Sequence, residues 1–189
     1  MKFNPDIHHR RSIRLKNYNY SQNGAYFITI CIQKRACLFG HIINNVMIFN
    51  EAGKMINEQW RNLAIRFNEI LLDEYIIMPN HFHGIVIIRE QSKDQFLHHA
   101  HANRATGEIR SPYNTTLSAI IRIFKSITTH HYIHGVKNHH WTPFEGKLWQ
   151  RNYHEHIIRN ELSLQKIRDY TKNNPYTWEK DSLFSNDFP

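Results

Sequence analysis

The sequence predicts an α+β fold in which an antiparallel sheet carries helices packed on one face. Continuous β-branched runs, such as residues 85–88, are typical of buried strands. Between these runs, apolar residues recur at the spacing of amphipathic helices. The resulting order is strand, helix, two strands, helix, strand, helix. This order is typical of a ferredoxin-like or RRM-like sandwich, and the chain length suits a single domain over residues 1–189.

The predicted strands are read from their apolar runs. The first spans residues 25–32 and is continuous enough to lie at the centre of a sheet. An excursion follows and ends in a hairpin, whose turn we assign to Asn44 and Asn45 because asparagine tolerates positive φ. Two further strands, residues 70–78 and 82–88, follow the first helix.

The predicted helices follow apolar periodicity. Asn50 caps the first, which runs to about Ile65 or Phe67. The second spans residues 114–127, and a histidine-rich turn should follow it. The last helix runs from about residue 161 to residue 173 and should stop before the proline at 175. Before this helix, residues 147–150 predict a short strand. Residues 151–159 either continue that strand or lead out of it.

Composition points to an anionic partner. Lysine and arginine number 24 against 16 acidic residues, which gives a formal charge of +8, and aromatic residues make up 13%. A basic, aromatic-rich domain suits a nucleic acid better than an acidic protein surface. Cys31 and Cys37 fit a reduced, cytoplasmic protein, and we expect no membrane association because no apolar run is long enough to span a bilayer.

Two stretches combine basic or polar residues without periodicity. Residues 1–22 form a basic arm that is either solvated or phosphate-contacting, and we favour the second, through Arg10, Arg11, Arg14 and Lys16. Residues 90–113 are rich in Gln, Ser, Lys, His and Gly, and predict a flexible loop.

A His-x-His pair opens the strand at residues 82–88. Residues two apart on a strand share a face with α-carbons roughly 6.5–7 Å apart, so both imidazoles can reach one cation at about 2.1 Å. His81 and His83 are therefore candidate metal ligands, while Phe82 points to the opposite face and Gly84 would let a ligand approach the backbone. The alternative is composition alone, because histidine occurs 15 times in the chain.

The last helix carries a second candidate pair. Tyr170 and Asn174 lie four residues apart and so stack on one helix face, where one could attack a phosphorus and the other reach a cation. The same spacing fits a core tyrosine followed by a C-terminal cap before proline. Periodicity alone leaves both interpretations open.

Five segments together resemble a known family. They are Met-Pro-Asn-His-Phe-His-Gly at 78–84, Leu-Trp-Gln-Arg-Asn-Tyr-His-Glu-His-Ile-Ile-Arg at 148–159, Ile-Arg-Asp-Tyr-Thr-Lys-Asn-Asn-Pro at 167–175, and the opening segments 10–16 and 24–27. In their order along the chain they resemble the REP-associated tyrosine transposases, members of the single-tyrosine HUH (His-hydrophobe-His) superfamily. The resemblance covers nearly the whole chain.

The resemblance implies roles for individual residues. His81 and His83 would ligate a metal, Asn174 would be the third ligand, and Tyr170 would be the nucleophile. The better-known insertion-sequence branch has glutamine where this sequence has Asn174, which is one methylene shorter. Such mixed nitrogen and oxygen ligation suits Mg²⁺ or Mn²⁺. Tyr153 is the rival nucleophile, although the family places its tyrosine on the helix after the last strand.

The implied activity is single-stranded DNA cleavage and strand transfer at a hairpin, as in repetitive extragenic palindromes, through a 5′-phosphotyrosine. Beyond the arm, the expected DNA contacts are Arg122, Lys125, Arg151 and Tyr153. A cytoplasmic, nucleoid-associated protein is expected, with a monomer favoured over a dimer. Two alternatives stay open: a catalytically silent hairpin-binding module, and a zinc hydrolase that uses His81, His83 and His156.

Overall fold

A computed structural model describes residues 22–89 and 115–186. Residues 1–21 and 90–114 fall outside it, and with them almost all of the predicted basic arm and loop, including Arg10, Arg11, Arg14 and Lys16. The strands are β1 (Gly24–Cys31), β2 (Gly40–Ile43), β3 (Val46–Phe49), β4 (Ile70–Ile77), β5 (His81–Ile88) and β6 (His154–Ile158). The helices are α1 (Glu51–Arg61), α2 (Leu63–Arg66), α3 (Leu117–His139) and α4 (Glu161–Asn173), with 3-10 turns at Gln33–Arg35 and Asn174–Lys180.

The main sheet has four antiparallel strands in the order β4-β5-β1-β6, and β2 pairs with β3 in a separate hairpin. With that hairpin set aside, the order is that of a ferredoxin-like βαββαβ unit. The predicted α+β class with an antiparallel sheet is therefore confirmed. The hairpin turn lies where it was predicted, with φ of 50° at Asn44 and 63° at Asn45.

One face of the sheet, here called the core face, packs against α1 and α3. Phe82 of β5 lies under Trp60 of α1 with ring centroids 4.4 Å apart, and Phe124 of α3 lies 5.5 Å from Phe82. Gly84 belongs to this packing, because a Cβ there would lie 2.7 Å from the Phe82 ring and 2.9 Å from Trp60. The glycine thus makes room for aromatic rings in the core. The prediction that Gly84 lets a ligand approach the backbone is therefore wrong.

The opposite face carries His81 and His83 and is here called the histidine face. Ile85 on this face forms a second apolar cluster with Ile158 of β6 and Leu164 of α4. Helix α4 therefore covers part of the face that the predicted sandwich leaves open. This position brings the last helix over the strand that carries the histidines.

Three predicted boundaries are wrong. The first helix, expected to run to about Ile65 or Phe67, ends at Arg61, and the short helix α2 follows after Asn62. Helix α3 continues through residues 128–139, where a turn was expected, because Thr128, Tyr132 and Gly135 extend its buried stripe. The predicted strand at 147–150 is reduced to one isolated bridge between Ile32 and Trp149, since the Trp149 side chain is buried in the core. Within the described residues, no helix has the length and apolar character needed to cross a bilayer.

Candidate metal centre and tyrosine site

The two imidazoles of the His-x-His pair face each other at the start of β5. His81 and His83 are almost fully buried, with exposed fractions of 0% and 3%. Their Nε2 atoms lie 3.0 Å apart. Two nitrogens at this spacing subtend about 90° at an ion that lies about 2.1 Å from each, which is the angle between adjacent ligands of an octahedron.

Asn80 fixes the orientation of His81. Its Nδ2 donates to the backbone carbonyls of Arg35 (3.1 Å) and Leu183 (2.9 Å). The amide oxygen must then face His81 and accept from Nδ1–H at 2.8 Å. In this tautomer the Nε2 lone pair of His81 points at His83, and that nitrogen is the one available to a metal.

His83 is held on its other side by β1. Its Nδ1 lies 2.8 Å from the Thr29 hydroxyl, and its ring stacks on Phe27 with centroids 5.2 Å apart. Burial lowers the pKa of His83 to about 4. Burial and the neighbouring His83 lower the pKa of His81 well below its usual value. Both rings are therefore neutral at pH 7, which is the form that ligates metals.

Asn174 and Asp181 approach the imidazoles from the end of α4 and beyond. The fully buried Asn174 amide donates from Nδ2 to Asp181 at 3.2 Å, whereas its Oδ1 has no hydrogen-bond partner in the described part of the chain. The potential ligand atoms of His81, His83 and Asp181 all lie within 4.8 Å of one another. A buried amide oxygen without a partner is costly, and a cation would satisfy it.

These donors fit a divalent ion. Two neutral imidazoles, an amide oxygen and a carboxylate form a mixed nitrogen and oxygen set, which Mn²⁺ accepts well and Mg²⁺ accepts through its oxygens. The Asp181 carboxylate adds a negative charge that offsets part of the ion's charge. The backbone N–H of Leu183 donates to Asp181 Oδ1 at 2.7 Å, while Asn174 Nδ2 donates to Oδ2, and these two bonds orient the carboxylate.

Tyr170 lies beside this cluster. Its hydroxyl is 3.4 Å from His83 Nε2, and its ring meets Phe27 edge-on at 6.0 Å. The side chain is 47% exposed, so the hydroxyl borders both the candidate metal position and solvent. Burial and Asp181 raise the pKa of Tyr170, and the Asn174 amide opposes this shift. The phenol is thus protonated at neutral pH.

The rival tyrosine takes a different position. Tyr153 packs against the hydrophobic core, and the ammonium of Lys125 lies 5.7 Å from its ring centroid. Lys125 Nζ donates to the carbonyls of Gln150 (2.8 Å) and Asn152 (2.9 Å), and burial lowers its pKa to about 8. Lys125 therefore holds the loop before β6, and a phosphate contact by this side chain would compete with these bonds.

The remaining predicted DNA contacts in the described residues, Arg122 and Arg151, are exposed. His156, the third histidine of the zinc-hydrolase alternative, lies exposed on β6 and pairs across the sheet with Phe27. It does not belong to the cluster of potential ligands, where Asp181 occupies the third place.

Sequence reasoning missed Asp181. It follows α4 by eight residues, and only the 3-10 turn Asn174–Lys180 brings it back to the histidines. Trp178 in that turn is buried and lies 5.8 Å from the His81 ring, which fixes the return of the chain. No motif of known spacing links Asp181 to the His-x-His pair, so only the tertiary structure reveals it.

The fold is that of a solved DNA transposase. The structure of a REP-associated tyrosine transposase bound to a REP hairpin superposes with a TM-score of 0.56 at 17% identity, covering 87% of this chain and 74% of that one. This likeness establishes the fold. No protein-family model matches the sequence. An uncharacterized protein of Haemophilus influenzae is 44% identical over 186 residues, 97% of each chain, and this chain belongs to the same family.

Proposed function

We propose that this protein is a metal-dependent, single-stranded DNA endonuclease and strand transferase that acts on hairpin DNA through a 5′-phosphotyrosine. The observation that carries the proposal is the meeting of the Tyr170 hydroxyl, two neutral imidazoles and the unpartnered Asn174 Oδ1 on one face of the sheet. The fold of the REP-hairpin-bound transposase supports the same class of enzyme.

His81, His83, Asn174 and Asp181 would hold the metal, Mg²⁺ or Mn²⁺. When bound, such an ion supplies charge neutralisation at the non-bridging oxygens of the scissile phosphate. Asn80 and Thr29 keep the two imidazoles in place and direct His81 Nε2 toward the centre. Phe27 stacks on His83 and supports the Tyr170 ring, so the hydroxyl is presented from a packed position.

The reaction exchanges one ester for another. The Tyr170 oxygen attacks phosphorus, the phosphorus–O3′ bond breaks, and the phenolic proton is lost while the 3′ oxygen gains one. The product is a phosphotyrosine at the 5′ end and a free 3′ hydroxyl. Because the ester bond is conserved, that hydroxyl or another can reverse the step without ATP.

DNA would reach the site from the exposed side of Tyr170. The formal charge of +8 favours a polyanion, and Arg122 and Arg151 are exposed cations on the described surface. The basic arm with Arg10, Arg11, Arg14 and Lys16 is the further proposed contact. A monomer is the proposed assembly.

The test is a labelled single-stranded hairpin incubated with the protein and Mn²⁺, then analysed on a denaturing gel. We expect a covalent protein–DNA band that is lost in Tyr170→Phe. Tyr176→Phe is the matched control, because Tyr176 is exposed and lies just beyond α4, and this variant should keep the band. Hairpin binding without a band in the unaltered protein would overturn the enzyme and leave a DNA-binding module.

A further inference from the structure

A β-bulge in β4 projects two acidic residues toward the tyrosine helix. The register between β4 and β5 shifts between Leu72 and Tyr75, and Asp73 and Glu74 occupy the irregularity. A regular strand would send two consecutive side chains to opposite faces. At this bulge both carboxylates instead form ion pairs with α4.

The pair nearer to the start of the helix has the stronger geometry. Arg168 donates from Nε to Asp73 Oδ1 at 2.9 Å and from Nη2 to Oδ2 at 2.7 Å, a two-point contact. The side chains are only 17% (Asp73) and 27% (Arg168) exposed. The Arg168 guanidinium is the main cause that lowers the pKa of Asp73. Glu161 also accepts from Arg168, at 3.2 Å, from a more exposed position.

The second pair lies one turn further along α4. Lys172 Nζ is 3.3 Å from Glu74, so the two ion pairs flank Tyr170 on its own helix. Apolar anchoring of this helix comes from Leu164 and the partly buried Ile167, which belong to the cluster with Ile85 and Ile158, while Leu162 is 68% exposed. The ion pairs add two charged contacts between α4 and β4, and these contacts restrict the rotation of α4 on the sheet.

We propose that Asp73 and Arg168 are a positioning pair that docks α4 on its own sheet and sets the Tyr170 hydroxyl at its distance from His83. The hydrogen bonds described for this pair join Asp73, Arg168 and Glu161 and none of the proposed metal ligands, so the pair acts through the helix. The inference rests on the proposed function, because it assigns to the pair the placement of the nucleophile. The bulge is the backbone feature that makes the contact possible.

The test compares Asp73→Asn and Arg168→Lys with Glu51→Gln. Glu51 forms an exposed ion pair with Lys54 on α1, 2.6 Å long, and serves as the control for losing a surface charge pair. We expect the single-turnover rate of adduct formation to fall about tenfold to a hundredfold in Asp73→Asn, because small displacements of a reacting group are costly. Arg168→Lys keeps the charge but loses the two-point contact, and should be intermediate. Hairpin affinity should not change.

Hydrogen exchange supplies a readout that does not depend on activity. Peptides from residues 161–173 should exchange faster in Asp73→Asn and Arg168→Lys than in the unaltered protein or in Glu51→Gln. Unchanged exchange there, with or without a slower reaction, would overturn the inference. If the unaltered protein forms no adduct, the proposed function fails, and exchange alone then decides whether the pair docks the helix.

Discussion

The two faces of β5 show how one strand serves two different environments. Phe82 points into a close-packed aromatic core with Trp60, Tyr75 and Phe124. His81 and His83, on either side of it in sequence, point to the other face and meet polar groups. Alternate residues of one strand thus serve the hydrophobic core and the candidate metal site.

The faces also differ in the kind of polar atom that they bury without a hydrogen-bond partner among the described residues. On the core face these atoms include the Nε1 donor of Trp60, which cannot ligate a cation. On the histidine face the atom is the Oδ1 acceptor of Asn174, which can ligate one. A buried polar atom left in this way lowers stability, so the histidine face retains an arrangement that a bound cation would favour. Substitutions on the two faces should therefore affect different measurements.

The largest expected effect is on catalysis, from the histidine face. His83→Ala should reduce the rate of adduct formation about a thousandfold, because it removes a proposed ligand at the centre. Its free energy of unfolding, from urea denaturation, should fall by less than that of Phe82→Ala. If adduct formation persisted at the original rate, His83 would have no role in the centre.

The next effect is on folding, from the core face. Phe82→Ala should lower the free energy of unfolding by about 3–5 kcal/mol, since it opens a cavity beneath Trp60. Phe82→Leu, which keeps most of the volume, should cost much less. If Phe82→Ala had the same free energy of unfolding as the unaltered protein, the aromatic stack would not be the main support of the sheet.

Metal binding should appear as added stability. At about a hundred times its dissociation constant, Mn²⁺ should raise the free energy of unfolding by about 2.7 kcal/mol. Asn174→Ala and Asp181→Ala should each weaken this gain, with Glu179→Ala as a control from the same segment. Equal stabilisation of all these proteins by Mn²⁺ would contradict the proposed ligand set. Thermal unfolding with and without EDTA makes the comparison.

The smallest effect concerns pH and the Asp73–Arg168 pair. The pKa of Asp73 is lowered from 3.8 in the folded state, mainly by Arg168, so the pair stabilises the fold above pH 3.8 and this contribution is lost as the pH falls through the lower folded value. Asp73→Asn should cost about 1 kcal/mol near pH 7. The difference in free energy of unfolding between the unaltered protein and Asp73→Asn should shrink toward zero as the pH falls below the folded pKa of Asp73. A difference that stayed constant from pH 7 into acid would contradict the Asp73–Arg168 ion pair as its source.

Much of the fold was accessible from the sequence because its strands are strongly patterned. The strands at 25–32, 70–78 and 82–88 agree with the structure to within a residue or so at each end. The sequence predicts too early an end for helix α3, because its later buried positions, Thr128 and Gly135, are not strongly apolar residues. Local hydrophobic patterns therefore find elements well and their ends poorly.

The candidate site could be predicted only in part from the sequence. The His-x-His pair and the Tyr170–Asn174 spacing are local patterns, so the sequence alone reveals them. Asp181 and Asp73 are not, because one depends on a 3-10 turn that reverses the chain and the other on a bulge in a strand pairing. Contacts that arise from irregular backbone leave no periodic trace in the sequence.

Asn80 links the tautomer of His81 to the position of the segment that follows the last 3-10 turn. Its amide is clamped between carbonyls that lie far apart in sequence, Arg35 in the turn after β1 and Leu183 after the last 3-10 turn. If the segment around Leu183 moved away, the Asn80 amide would lose one of its two acceptors and could flip, which would present its NH₂ group to His81 Nδ1. The hydrogen of the His81 ring would then move to Nε2, so a movement of this segment would change the His81 tautomer.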